Sequence, residues 1–573
     1  MRRHVVRPLL PWLLVSLACG GRTGLLPGSF SSQAGNGGTV ANGGTVANGG
    51  TVATGGTLSM GGAAGSDSVG GRPSAGAGAA GRAGSPAGSA GSAGAAAGSG
   101  GSGGSAPCAG GECACQATSL ELLSHAPRNG AVGIAASSAI TAEFNCAFDA
   151  KRVDAGDARL SGSFSGPISA TLMASASPRG LRLLPPAPAG HAAAYLAGER
   201  VTAWLGAELG TSQLPFQPYS WQFIADVSPA SPGKFVSATL TLPAIQRGNA
   251  MVLGDVDADG DLDAIVRGDM RSLLLRNRGD ATFENAEELD SNGVPVLGDL
   301  DGDGDLDIAD GQRLLLNDGQ GHFVAGPAAQ GCVALGDVDG DGDLDCLANV
   351  GYTAQKQLLG HVLFNSGNGN MQPGGDAPIG FECRLWDLDS DGDPDAVCVS
   401  PVLTGANVLI NDGKGSFAAT VQVLGQAGAR GIALGDVDAD GDIDVVVSQW
   451  FGGGKFAANQ LYLNDGSGQF DPGEGVGADG GDIELADIDG DGDLDVLYSH
   501  LTPYGPLSGP FNPAAIHLND GNGHFVLSPR TLGDPAFQWF ELGDLDGDRD
   551  LDAFVFHQLG VTGNYGSVWL NQN

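Results

Sequence analysis

The stretch "DVDADGDLD", Asp255 to Asp263, places five aspartates on alternate positions of nine, with a glycine at the sixth. Carboxylates this close repel one another, and the crowding is tolerable only if a counter-charge offsets it. The pattern recurs from Asp299, Asp337, Asp387, Asp436, Asp487 and Asp544, at spacings of 38 to 57 residues. Three loops carry Asp255, Asp257, Asp259, Asp261, Asp263; Asp299, Asp301, Asp303, Asp305, Asp307; and Asp337, Asp339, Asp341, Asp343, Asp345. The fourth and fifth carry Asp387, Asp389, Asp391, Asp393, Asp395 and Asp436, Asp438, Asp440, Asp442, Asp444. The last two carry Asp487, Asp489, Asp491, Asp493, Asp495 and Asp544, Asp546, Asp548, Asp550, Asp552. These 35 residues are over half of the 65 acids in a 573-residue chain of net charge −38, and the remaining 30 nearly balance its 27 bases. The acidity belongs to one repeated element, and the overall balance argues against a nucleic-acid partner, which requires clustered Lys and Arg.

Hard cations such as Ca2+ take about six to eight oxygen ligands, and alternate positions on a tight loop can aim carboxylates at one point. By analogy with calcium loops of this type, positions one, three, five and nine supply side chains and position seven its backbone carbonyl. In the first loop these are Asp255, Asp257, Asp259 and Asp263, with Asp261 at seven. Up to seven Ca2+ ions are expected. The seventh loop, "DLDGDRDLD", has Arg549 where glycine should make the sharp turn, which puts that site in question. An EF-hand needs a bidentate Glu at position twelve and flanking helices. Here position twelve is Val266, Asp310, Ala348, Cys398, Val447, Tyr498 and Val555, with β-rich flanks, so that motif is excluded.

After each acidic loop comes a second signature: "LNDGQGHF" from Leu316, "INDGKGSF" from Ile410, "LNDGSGQF" from Leu463 and "LNDGNGHF" from Leu518. Degenerate copies are "RNRGDATF" from Arg276 and "FNSGNGNM" from Phe364. Asn-Asp-Gly between apolar runs is a hairpin signal, so one repeat supplies about four strands, as a propeller blade does. These paired signatures resemble FG-GAP/VCBS repeats, the repeats of the integrin α-subunit propeller and of many secreted bacterial proteins, over residues 235–573. The resemblance implies an all-β chain whose C-terminal part is a seven-bladed calcium-binding β-propeller. The chain ends in "SVWLNQN", after the seventh repeat's third strand, so "FVSATLTLP", 235–243, is expected to supply the missing outer strand.

This repeat order puts the acidic loop between first and second strands and the Asn-Asp-Gly turn between third and fourth, on one face. Connections on the opposite face carry Gln449, Trp450, Phe451, His500, Tyr504, His557 and Tyr565. Rings with polar tips there could stack on a sugar or bury against a protein; packing between neighbouring loops is the plainer account. Arg278, Gly279 and Asp280 spell RGD but align as a variant of the hairpin turn. The nine histidines are scattered, and no nucleophile-elbow, metalloprotease or phosphate-loop pattern appears. The expectation is a cell-surface adhesion or ligand-binding protein for an extracellular glycan or protein. A polysaccharide-active lyase or glycosidase on the same scaffold is the alternative.

The N-terminus, "MRRHVVRPLLPWLLVSLACGG", has a basic start and a short apolar core, as a secretion signal does. "SLAC", Ser16 to Cys19, resembles a bacterial lipobox, which would lipidate Cys19 and anchor the protein at the outer membrane or cell surface; Ser16 stands where that pattern usually has Leu. No later apolar run is long enough to cross a membrane. Residues 20–115 are rich in Gly, Ala, Ser and Thr and too poor in large apolar groups to order a core, so they read as a flexible stalk. Residues 116–227 show short alternating strands, and "HAPRNGAVGI", "ITAEFNCAFD" and "YSWQFIA" resemble the bacterial Ig-like sandwich module. His125 and His191 are expected at its surface. Beyond Cys19, eight cysteines suit an oxidising compartment. Cys383 and Cys398 are the best disulfide pair, Cys332 and Cys346 flank their loop less symmetrically, and Cys108, Cys113 and Cys115 are expected to pair among themselves and with Cys146.

Overall fold

The computed structural model describes residues 117–572, apart from 148–152, 155, 176, 187–193, 230–232, 239–249, 268–270, 285–286, 292, 354–357, 401–404, 427, 450, 453–454, 457, 479, 501–512, 534–536 and 558–565. The expected signal, Cys19, the stalk, His191 and the cysteines at 108, 113 and 115 lie outside the described residues. Among the described residues the chain is all-β, its helical content being one 3-10 turn, Ala207–Leu209. No described helix is long and apolar enough to cross a membrane.

Residues 117–227 form two four-stranded sheets. One runs in the order Leu122–Ala126, Ile140–Phe144, Gly180–Leu184, Thr171–Ala174, and the other Gly166–Ile168, Ala158–Gly162, Arg200–Leu205, Tyr219–Ile224. Alternation in "ITAEF" buries Ile140, Ala142 and Phe144 while Thr141 and Glu143 stay partly exposed, the period-two pattern of a sheet covered on one side. Both sheets contribute to one core that includes Phe144, Leu160, Leu181, Val201, Trp221 and Phe223. His125 departs from expectation: it is half-buried, with its ring 4.4 Å from that of Trp221 and 5.7 Å from that of Tyr219.

The repeats give seven further four-stranded antiparallel sheets in a propeller-like arrangement. The first is Ala250–Gly254, Asp263–Arg267, Ser272–Leu275 and Glu287–Leu289. The seventh combines Phe537–Gly543, Asp552–His557 and Gly566–Asn571 with Phe235–Ser237. In that last pairing Trp569 faces Ser237 and Asn571 faces Phe235, so the expected contribution of the earlier segment is observed. Each sheet's first strand contacts that of the next, and the seventh's contacts that of the first.

Second strands are buried on both faces by neighbouring sheets, which is why "DAVCV", Asp395–Val399, and "DVVVSQ", Asp444–Gln449, show near-continuous apolar runs. Fourth strands such as Ala418–Leu424 lie at the exposed outer edge. Cys383 faces Cys398 across its hairpin, and the two form a disulfide, as do Cys332 and Cys346. Cys146 is also disulfide-bonded. The sandwich and the repeats belong to one compact unit.

Candidate functional site

Each acidic loop joins the first and second strands of its sheet, and its residues divide by what holds them. Position one accepts backbone N–H bonds from further along the loop. Asp255 takes Asp259 N at 3.1 Å and Gly260 N at 3.0 Å, and Asp387 takes Asp391 N at 3.2 Å and Gly392 N at 3.1 Å. Position five accepts from position seven, as Asp259 does from Asp261 N at 3.0 Å. This wrapping needs a left-handed residue at position six, where Gly260 has φ 95° and Gly441 has φ 107°. Arg549 adopts the same region, φ 70°, and its N–H reaches Asp544 Oδ2 at 3.0 Å, so the seventh loop keeps the shape its sequence put in question.

Position three accepts from position five in the third and fifth loops, Asp339 from Asp341 N at 3.3 Å and Asp438 from Asp440 N at 3.4 Å, and is left over in the other five. Asp257, Asp301, Asp389, Asp489 and Asp546 each have a buried Oδ1 with no hydrogen-bond partner. Asp436 Oδ1 and Asp550 Oδ1 are likewise buried and unpaired. Native proteins rarely leave such atoms unsatisfied, because the desolvation they suffer is uncompensated. In Asp255, Asp257 and Asp259, and in Asp387, Asp389 and Asp395, one carboxylate oxygen from each residue lies within 4.8 Å of the others. Several loops therefore hold clustered acids able to take a metal ion, a donor set that fits a hard divalent cation. Position seven turns its side chain away: a Cβ on Gly319 of the hairpin turn would meet Asp305 Oδ2 at 2.6 Å.

Burial, with repulsion from neighbouring carboxylates, pushes the Asp255, Asp337, Asp387 and Asp487 carboxyls up to about 7. Asp263, Asp345, Asp395, Asp444 and Asp495, at position nine, rise to about 8, again chiefly through burial. A cation bound among these groups would neutralise the charge that burial opposes.

Position nine has a second partner that the sequence pattern did not assign. Asp395 Oδ2 accepts Leu388 N at 3.0 Å, and its Oδ1 accepts Asn411 N at 2.7 Å. Asn411 is the asparagine of the hairpin turn, and its Nδ2 donates 2.8 Å to Val338 O in the preceding repeat. The same bond runs from Asn317 to Val256, Asn365 to Leu300, Asn464 to Leu388, Asn519 to Val437 and Asn571 to Ile488. Asn277 completes the series by reaching Leu545 O, in the seventh repeat, at 2.9 Å. The sequence held a signal for this role: degenerate turns lose Asp or Gly, but "RNRGD", "FNSGN" and "LNQN" all keep Asn.

The proposed rim is less fully placed. Gln449 is 3% exposed, with its side-chain oxygen unpaired. His500 is half-buried with its ring 5.1 Å from Tyr498, and burial, then His517, holds its pKa below the ordinary histidine value. His557 ends the strand Asp552–His557, while Trp450, Tyr504 and Tyr565 lie outside the described residues. Arg278 pairs with Glu284 at 3.2 Å, and Asp280 accepts from Thr282, so RGD is a braced turn.

Residues 255–309 and 387–447 match the family of FG-GAP-like repeats. The matched segments contain four of the seven acidic loops, those from Asp255, Asp299, Asp387 and Asp436. No curated protein matches the chain. Among solved structures, an Agrocybe aegerita lectin that recognises non-reducing terminal N-acetylglucosamine is similar at 20% identity and TM-score 0.37, covering 50% of this chain and 80% of that one. The V. cholerae biofilm matrix protein Bap1 is similar at 13% identity and TM-score 0.29, over 59% of this chain and 91% of that one. A Penicillium chrysogenum alpha-L-arabinanase complexed with arabinobiose gives 14%, TM-score 0.31, and 59% and 98%. At such TM-scores no ligand is carried over to the FG-GAP-like repeats of this chain.

Proposed function

We propose that this is a secreted calcium-binding protein whose seven FG-GAP-like repeats form a closed seven-bladed propeller behind an Ig-like sandwich, and that it binds an extracellular glycan or protein. The observation that carries the calcium reading is the recurrence of a buried, partnerless carboxylate oxygen at position three in loop after loop. Asp at one, three, five and nine would supply side-chain ligands, with the carbonyl of position seven, whose own side chain is turned to the hairpin. Calcium is abundant outside cells, and the disulfides suit the same compartment. Closure into a ring is supported by the asparagine series, which returns from the first repeat to the seventh.

The ligand face is assigned to the side opposite the acidic loops, because sandwich residues already lie against loops of the first, third, fourth, fifth and seventh repeats. Anchoring through a lipid on Cys19 would hold the ring away from the membrane on the stalk. Calorimetric titration with calcium, followed by a glycan array on the loaded protein, tests the reading. Saturable glycan or protein binding without product supports an adhesion role; cleavage of a polysaccharide in the same samples assigns an enzyme instead. No calcium uptake would remove the basis of the proposal.

A further inference from the structure

The sandwich grips the acidic loops at the positions that shape them. In the third, fourth and seventh loops it holds the backbone carbonyl of position six. Gly342 O accepts Arg159 Nη1 at 2.7 Å, Gly392 O accepts Ser220 N at 2.8 Å and Ser220 Oγ at 3.1 Å, and Arg549 O accepts Ser228 N. At position one, Asp387 O accepts Asn129 Nδ2 at 3.2 Å, and Asp255 N donates to Phe164 O at 2.9 Å. Asn129 is itself fixed, since its Oδ1 accepts Trp386 Nε1 at 2.9 Å and Gln222 N at 3.1 Å.

The fifth loop makes the link to the metal ligands most direct. Asp436 Oδ2 is taken by Arg128 from the sandwich and by Gly441 N, while Asp436 Oδ1 remains buried without a partner. Arg128 therefore pins one oxygen of the position-one carboxylate and leaves the other for an ion. In the seventh loop the grip is mutual, because Arg549 Nη2 reaches Asp226 Oδ1 at 2.7 Å.

Resting on the calcium reading above, we infer that docking of the sandwich and loading of the loops are coupled: each stabilises the same loop conformation. Position six lies between ligand positions five and seven, so a group that fixes its carbonyl restricts the peptides that aim both ligands. Coupling of this kind is reciprocal, so bound calcium holds the sandwich on the ring as the docked sandwich tightens calcium. The sandwich is then a reporter of metal occupancy, and calcium withdrawal frees the loop face.

Hydrogen exchange on the full chain, in calcium and in chelator, tests this. The expected result is loss of protection at sandwich residues 128–133 and 218–222 in chelator, while Arg200–Leu205 in the sandwich core stays protected. Unchanged protection at those two edges, alongside loss within the acidic loops, would overturn the coupling. Asn129→Ala, which removes no charge, is expected to weaken calcium binding about fivefold or more in calorimetry, the lower end of ordinary site coupling; unchanged affinity overturns the inference. If that variant does not fold, the exchange result on the unmodified chain decides. A wild-type chain that binds no calcium fails the earlier reading, whereas one that binds calcium with its edges indifferent to it fails only this inference.

Discussion

Asp389 and Asp395 belong to one nine-residue loop and to one cluster of acids able to hold a metal ion, yet their surroundings differ. Asp395 accepts two backbone N–H groups and, through Asn411, joins its sheet to the preceding repeat. Asp389 has a buried oxygen that nothing in the protein satisfies. The far end of the loop is thus completed by the fold, and the near end keeps the oxygen that the proposed ion would take. On the proposed reading one motif serves two purposes, tying each repeat to the one before and binding metal, and the two can be separated experimentally.

The largest effect expected to separate them is removal of the proposed metal from all seven loops. If each site resembles a weak extracellular module with Kd of about 10⁻⁴ to 10⁻³ M, millimolar calcium adds roughly 0.4 to 1.4 kcal/mol per loop, or roughly 3 to 10 kcal/mol over seven. Thermal unfolding with and without chelator checks this, and a melting temperature indifferent to chelator would break the comparison at its metal half. The pH dependence of the metal-free protein comes next. The raised carboxyls keep protons in the folded state that the unfolded chain gives up near pH 4, so stability falls as pH rises from about 4 through about 7 to 8. Calcium should flatten that decline, which melting curves between pH 5 and 8 would show.

Asp395→Ala leaves Leu388 N and Asn411 N without their acceptor, and should cost about 2–4 kcal/mol in chelator and more in calcium, where it also removes a proposed ligand. Asn411→Ala removes the tie to Val338 and should cost about 1–3 kcal/mol, independently of metal. Denaturant unfolding in both conditions measures these two. Asp389→Asn should be the mildest, lowering stability by roughly 0.4 to 1.4 kcal/mol only when calcium is present. If it destabilises equally in chelator, positions three and nine do not differ as described.

Much of the repeat region was legible because its signals are local. The acidic loop and the Asn-Asp-Gly turn each specify a hairpin from contiguous residues, so strand order and the outer strand from 235–237 followed from counting. The asparagine's second bond was missed because its acceptor lies in the repeat before, 73 residues away for Asn411 and Val338. The backbone shape at Arg549 was not legible for a related reason. A non-glycine residue in the left-handed region looks unfavourable taken alone, but here its side chain pairs with Asp226, 323 residues distant.

By itself, then, the sequence determined the all-β character, the sevenfold repetition and the places where negative charge concentrates, since these rest on alternation, turn chemistry and Coulomb repulsion over a few residues. The tertiary structure alone decided which oxygens stay unsatisfied, how each repeat is tied to the one before, and that the sandwich lies against the acidic loops. Those depend on burial and on partners far apart in the chain, and neither is written in any local stretch.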